Sequence, residues 1–122
     1  MLQRILPEKP YARMRVMFEL IFHPSAVEEL YALDPVMQAK LLRGLEKLER
    51  EGFRLRYPDS RALSRGLYEL RVGGKDIART FFAYAAGQRI FILRTFIKKT
   101  QKTPLREFEI ALKRLEELSH DG

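Results

Sequence analysis

Three runs rich in β-branched and aromatic residues follow one another at 67–72, 77–84 and 89–97, separated by short glycine-containing gaps. Gaps this short return the chain antiparallel, because a parallel return needs a crossover of a dozen or more residues. Gly73-Gly74, with Lys75 and Asp76, supplies the first turn, and Ala85-Ala86-Gly87 the second. The chain is therefore committed to a three-stranded meander, and the rest must pack around it.

MFELIFH at 17–23 reads as a further strand. Pro24 suits the first turn of a helix, and Ala26, Val27, Leu30, Tyr31 and Leu33 recur near helical spacing. Asp34-Pro35 then joins an N-cap to a proline that has no amide to leave unpaired. Met37, Leu41, Leu45 and Leu48 form one apolar stripe, and Gly52 ends that helix. The stretch 53–66, with Pro58, Gly66 and four arginines, reads as a loop. After a polar connection at 98–102, Thr103-Pro104 repeats the cap signal. Leu105, Phe108, Leu112, Leu115 and Leu118 give the last helix its stripe. The order is β-α-α-β-β-β-α, an α+β fold whose antiparallel sheet packs on helices, with one face covered and the other partly open. The expected divisions are an irregular extension at 1–16, one domain at 17–118 and a tail at 119–122.

Charge is divided unevenly along this order. Residues 54–106 hold thirteen Lys or Arg against three acids, Asp59, Glu69 and Asp76, a balance of +10. The other residues hold ten bases against thirteen acids, −3, which completes the net +7. Positive charge confined to the meander and its flanks favours a polyanion through Coulomb attraction and counterion release. Cysteine is absent, which excludes a structural disulfide and a thiolate zinc site. Carboxylates do not cluster at metal-ligand spacing, so neither metal nor cofactor is expected. No apolar run approaches the ~20 residues of a spanning helix. Residues 1–15 lack the apolar centre of a secretory signal, and a cytoplasmic protein without membrane contact is expected.

Strand alternation then selects candidate site residues. Glu69 and Arg71 share a face opposite Tyr68, Leu70 and Val72, and Arg79 shares one with Ile77, Phe81 and Ala83. The run at 89–97 is apolar on both faces except for Arg94 and its ends, and Lys98-Lys99 follow at once. Glu69, Arg71, Arg79 and the lysine pair can thus converge on one surface. Metal-free RNA cleavage needs three tasks covered: a base for the 2′-hydroxyl, charge on the phosphorane, and an acid for the leaving 5′-oxygen. Arg suits the second, and a Lys among cations can exchange protons. Glu69 is a second candidate base. Plain phosphate binding by a cationic strand is the alternative. Tyr57 and Tyr68, near arginines, are candidate stacking platforms.

The runs Leu67-Tyr68-Glu69-Leu70-Arg71, Arg79 with aromatics after it, and Phe96-Ile97-Lys98-Lys99-Thr100-Gln101-Lys102-Thr103-Pro104 resemble the phage-derived, HigB-like branch of the RelE/ParE toxin superfamily. The resemblance covers about 17–118. It implies the toxin of a type II toxin–antitoxin pair: a ribosome-dependent, metal-independent mRNA endoribonuclease held inactive by an antitoxin, often a helix-turn-helix protein. By position, Arg79 matches an arginine used at the phosphate and Lys99 a basic residue near the leaving group, with Lys98 its neighbour. Arg71 and Glu69 fall where RelE has further basic residues. Glu69 departs from that pattern, since a lysine there is a proposed base. A C-terminal tyrosine of RelE has no match, because Leu105 and Arg106 occupy the region. Catalytic histidines of some HigB proteins are also missing, with His23 and His120 elsewhere, so the base is unassigned. Arg54, Arg56, Arg61, Arg65, Lys75, Arg94 and Lys102 are the expected RNA contacts. A ParE-like inhibitor of DNA gyrase, which does no chemistry on nucleic acid, is the competing reading; a phage-assembly role is a third.

Overall fold

The computed structural model describes residues 17–73, 77–99 and 104–121. The expected extension at 1–16, the turn residues Gly74 to Asp76 and the cap Thr103 lie outside them. Strand β1 (Glu19–Phe22) leads into helices α1 (Pro24–Tyr31) and α2 (Pro35–Glu51). Strands β2 (Ser60–Ala62), β3 (Tyr68–Val72), β4 (Ile77–Ala85) and β5 (Arg89–Lys98) follow, and α3 (Leu105–Asp121) closes the order. The last helix takes in 119–121, which were expected as tail.

Local chemistry explains the boundaries. The Asp34 carboxylate accepts the Met37 amide at 2.9 Å, and Pro35 starts α2 behind it. Gly52 ends the helix at φ 53° and ψ −123°, where a Cβ would stand 2.0 Å from the Phe18 ring. His23 caps α1, its Nδ1 accepting the Ser25 amide at 3.1 Å.

The sheet has five strands in the order β1-β5-β4-β3-β2. The meander β3-β4-β5 is antiparallel, as the short gaps required. Two features differ from the sequence reading. First, β1 pairs parallel with β5, Glu19 to Phe22 against Arg89 to Ile92, so the sheet is mixed. The intervening α1, α2 and β2–β4 form the long crossover such a pair needs. Second, β2 forms inside the expected loop, pairing Ser60 to Ala62 against Leu70, Glu69 and Tyr68 on the β3 edge.

The expected open face is also mostly closed, because helices cover both sides. On one side Leu41, Leu45 and Leu48 of α2, each 1% exposed or less, meet Leu70, Val72, Phe82, Ile90 and Ile92. Burying each leucine is worth ~2 kcal/mol. On the other side Ala111, Phe108, Leu112 and Leu115 of α3 cover Phe81, Ala83, Phe91, Leu93 and Phe96. A β5 apolar on both faces demands this arrangement. The Tyr84 hydroxyl, part-buried beside Tyr68, donates to the Gly52 carbonyl at 2.9 Å, and burial pushes its pKa up to about 12.

One irregularity positions the site. Phe81 pairs with Arg94 but Phe82 with Ile92, so Leu93 is an extra residue on β5. This bulge places Leu93 and Phe96 with the α3 core, while Ile92 and Ile97 belong to the α2 core.

Candidate functional site

Cross-strand register brings the site together. Arg71 of β3 stands directly opposite Arg79 of β4, and Glu69 lies opposite Arg61 of β2. Like charges facing each other weaken a sheet, so this pair is not explained by stability. Phe96, on the same face as Arg79, marks where the α3-covered core ends. Two residues further, Lys98 emerges on that face.

Glu69 sits at the centre. Its side chain is 1% exposed, with Arg79 Nε 3.4 Å from Oε2 and Arg61 Nη2 3.2 Å from Oε1. Arg79 is itself 4% exposed at the side chain, and its Nη1 donates to the Ala78 carbonyl at 3.2 Å. Neither carboxylate oxygen nor Arg79 Nε has an aligned hydrogen bond, so charge proximity alone binds the pair. Burial lowers the Arg79 pKa, Glu69 opposes this, and Arg71 and Arg61 lower it further. Lys98 responds to the same groups. Burial lowers its pKa, Glu69 raises it, and Arg79, Arg61 and Arg71 push it down again. The result is a guanidinium pair over a sealed carboxylate, beside an ammonium that releases its proton more readily than usual.

This geometry sorts the residues named from sequence. Glu69, Arg71, Arg79 and Lys98 are brought together, and Arg61 joins them as the second cation on Glu69. Glu69 is too deeply enclosed to reach a 2′-hydroxyl and acts here as a counter-ion, not the base considered above. Lys99 is exposed and follows the last residue of β5. Arg94 is committed elsewhere. Its Nε donates to Glu107 of α3 at 2.6 Å and its Nη1 to Glu29 of α1, while Arg114 Nη2 pairs with Glu29 at 2.9 Å. Burial opposes the Arg94 charge, but these carboxylates outweigh it and raise its pKa. Glu29 also accepts the Thr95 amide at 3.0 Å, just beyond where β1 stops pairing with β5. The network closes that edge and ties α1 to α3.

The remaining arginines spread outward. Arg54 pairs with Glu51 at 3.6 Å, Arg56 is exposed, and Arg65 lines a hollow beside Leu112 and Leu115 of α3. Lys75 and Lys102 lie outside the described residues. Tyr68 is no platform, since it packs on Phe82 and Tyr84. Tyr57 is 70% exposed, with the Arg71 guanidinium 5.5 Å from its ring centre. His23 also contacts Glu117 through Nε2 at 2.7 Å, so both ring nitrogens serve structure. Sequence reading missed Arg43 and Lys47 of α2, which line a hollow with Arg71. Their signal was confined to a charged helix face. No cluster of three or more His, Asp or Glu able to hold a metal occurs among the described residues, nor any helix long and apolar enough to cross a membrane.

Comparison with known proteins gives a matching lineage and a matching fold. The family model described as "Phage derived protein Gp49-like (DUF891)" matches residues 28–116. No curated protein matches the chain. Among solved structures, the toxin–antitoxin complex RelBE2 from Mycobacterium tuberculosis is similar at TM-score 0.56 and 23% identity, covering 68% of this chain and 100% of that one. A mutant of the E. coli toxin RelE in the free state is similar at TM-score 0.62 and 16% identity, covering 81% of this chain and 98% of that one. At these identities the two structures establish a RelE-like fold.

Proposed function

Because the chain belongs to the phage-derived Gp49-like family, and on the chemistry of its cationic cluster, we propose that it is the toxin of a type II toxin–antitoxin pair that cuts messenger RNA on the ribosome. The observation that carries this reading is the facing pair Arg71 and Arg79 with Lys98 beside it. A phosphodiester laid against this cluster meets the half-buried Arg71 guanidinium and Lys98 ammonium, and the buried Arg79 guanidinium adds its positive field to the phosphorane from beneath them. The 2′-hydroxyl gives its proton to solvent water, its oxygen bonds to phosphorus, the P–O5′ bond breaks, and a 2′,3′-cyclic phosphate and a 5′-hydroxyl result. Lys98 gives its proton to the departing 5′-oxygen, a role helped by its lowered pKa. Lys99, exposed just past the end of β5, serves the flanking backbone. Glu69 holds Arg79 in place through charge. No step requires a metal.

The similarity to a toxin–antitoxin complex supports a cognate antitoxin as partner, and we assign it to the helix-turn-helix class. The reading places the protein in the cytoplasm with ribosomes and mRNA. Induced expression without antitoxin, followed by mapping of transcript 5′ ends, tests it. Growth arrest with new 5′-hydroxyl ends inside coding regions is expected. Arg71→Ala and Arg79→Ala, confirmed folded, should each lower cleavage by ~10²-fold. Intact transcripts with stalled replication and a DNA-damage response would replace this reading with gyrase inhibition.

A further inference from the structure

Tyr57 is the most exposed of the large hydrophobic side chains among the described residues, at 70%. Exposure of a single ring is ordinary in itself, and it is the surroundings of Tyr57 that set it apart. The Arg71 guanidinium lies 5.5 Å from its ring centre, and Arg71 is the residue facing Arg79 across the sheet. The ring therefore borders the cationic cluster against which the phosphate is placed.

The turn that carries Tyr57 is anchored on every side. Asp59 and Ser60 amides both donate to the Arg56 carbonyl, at 3.0 and 3.1 Å. The Arg71 amide donates to the Asp59 carbonyl at 2.8 Å, extending the β2–β3 ladder by one bond. Lys47 Nζ holds the Asp59 carboxylate at 2.7 Å, and Leu55, before the turn, is buried in the core. A ring on such a support keeps its orientation, which lowers the entropic cost of stacking against it.

Beside this turn is a hollow of about 230 Å³ between α2 and the β3 edge, lined by Arg43, Gly44, Lys47, Asp59, Arg71 and Val72 among others. Two cations of α2, Arg43 and Lys47, line it against one carboxylate, and that carboxylate is already paired with Lys47. Arg43 has no acidic partner among the described residues. The hollow is smaller than the ~300 Å³ of an ordinary small-molecule pocket, and its chemistry suits a phosphate with its sugar.

We infer that Tyr57 and Arg71 form a stacking ledge for one base of single-stranded RNA, and that Arg43 and Lys47 take the phosphate of that same nucleotide. This flanking subsite rests on the nuclease reading and extends it to substrate choice. A tyrosine face has no hydrogen-bond pattern, so it ranks bases by stacking area, purines above pyrimidines. The preference appears at one position next to the cut, while Arg43 and Lys47 contribute equally for all sequences.

Two readouts separate this subsite from the reaction itself. The first is fluorescence anisotropy of a labelled 2′-O-methyl RNA hexanucleotide, which cannot be cleaved by 2′-oxygen attack. Tyr57→Ala should bind about ten-fold more weakly, and Tyr57→Phe, which keeps the ring, should restore wild-type affinity. Arg43→Gln should weaken binding and flatten the slope of log K against log salt by ~0.7. The second readout is transcript cleavage in a reconstituted translation system, where Tyr57→Ala should broaden base usage at one flanking position. Hexanucleotide affinity unchanged in Tyr57→Ala, or no hexanucleotide binding by the wild type, overturns the ledge. Cleavage absent from the wild type while Tyr57→Ala still weakens the hexanucleotide overturns the nuclease reading and leaves the ledge standing.

Discussion

Glu69→Gln removes one charge and leaves shape nearly unchanged, and it tests whether the buried carboxylate is what permits the arginine pair. In the wild type, Arg79 Nε is 3.4 Å from Glu69 Oε2, with both side chains at most 4% exposed. At an effective dielectric of ~20 that separation gives an attraction of about 5 kcal/mol. The second pair, with Arg61, is 46% exposed on the arginine side and adds under ~1 kcal/mol after solvent screening. Desolvation offsets most of this gain while both partners are present. Once the carboxylate is gone, the guanidinium is buried beside Arg71 without compensation, and the loss is ~3–5 kcal/mol. Missing hydrogen-bond alignment at both oxygens puts the expected value near the lower end of that range. With a urea m-value of ~1.5 kcal/mol/M, the unfolding midpoint should fall by roughly 2 M. The decisive control is Glu69→Leu combined with Arg79→Met, which removes both charges and refills the space. It should recover most of the stability while abolishing cleavage. A Glu69→Gln midpoint within 0.5 M of wild type (roughly, at that slope), or a double variant as unstable as the two single losses added, refutes the reasoning.

Two further outcomes follow from the same structure. With its pKa lowered chiefly by burial, Lys98 should lose its proton earlier than an ordinary lysine, so the cleavage rate should fall on the alkaline side below the range set by a free ammonium. Lys98→Arg should be slower but should carry no such limb, and a limb that persists in that variant removes Lys98 from proton transfer. The stability sign is consistent: a lowered ammonium pKa disfavours the folded state at low pH, and the penalty is relieved as pH rises toward the ordinary lysine value. Gly52→Ala places a Cβ at φ 53°, 2.0 Å from the Phe18 ring, and should cost ~3 kcal/mol or more in strain and displacement. A fall in Tm of about 10 °C by calorimetry is expected; a shift of under ~2 °C would show that the chain relaxes around the site.

What was legible in the sequence is what local chemistry decides. The meander follows from short gaps, the Asp34 cap from an acid before proline, and α2 from four apolar residues that prove to be buried. What was not legible depends on partners distant in the chain. The parallel pairing of β1 with β5 joins residues about seventy positions apart and leaves no local mark. Strand β2, only three residues, exists because β3 offers it an edge. Arg94 looked like a free cation on an apolar strand, yet its carboxylates come from α1 and α3. Glu69 looked like a candidate base because sequence gives parity but not depth; only the flanking Arg61 and Arg79 reveal it as a counter-ion.

The choice between Lys98 and Lys99 shows how one residue decides a site. The turn sets Ala85 against Arg89 and Ala83 against Phe91, and a regular ladder continued from there would pair Arg79 with Thr95. Alternation would then carry Ile97 and Lys99 onto the arginine face and leave Lys98 behind the sheet. The extra residue Leu93 shifts the register by one, so that Arg79 faces Phe96 and Lys98 becomes its neighbour in charge. A one-residue slip reverses every side chain beyond it. The core confirms the reversal on both sides, with Phe96 under α3 and Ile97 under α2. The same shift turns Arg94 toward Glu107 of α3, and the Glu29 network built on it closes the strand edge that β1 leaves unpaired. The bulge thus sets Lys98 on the arginine face and locks the helix beside it at one stroke. Deleting Leu93 would have to undo both, because neither partner can keep its face once the register is restored.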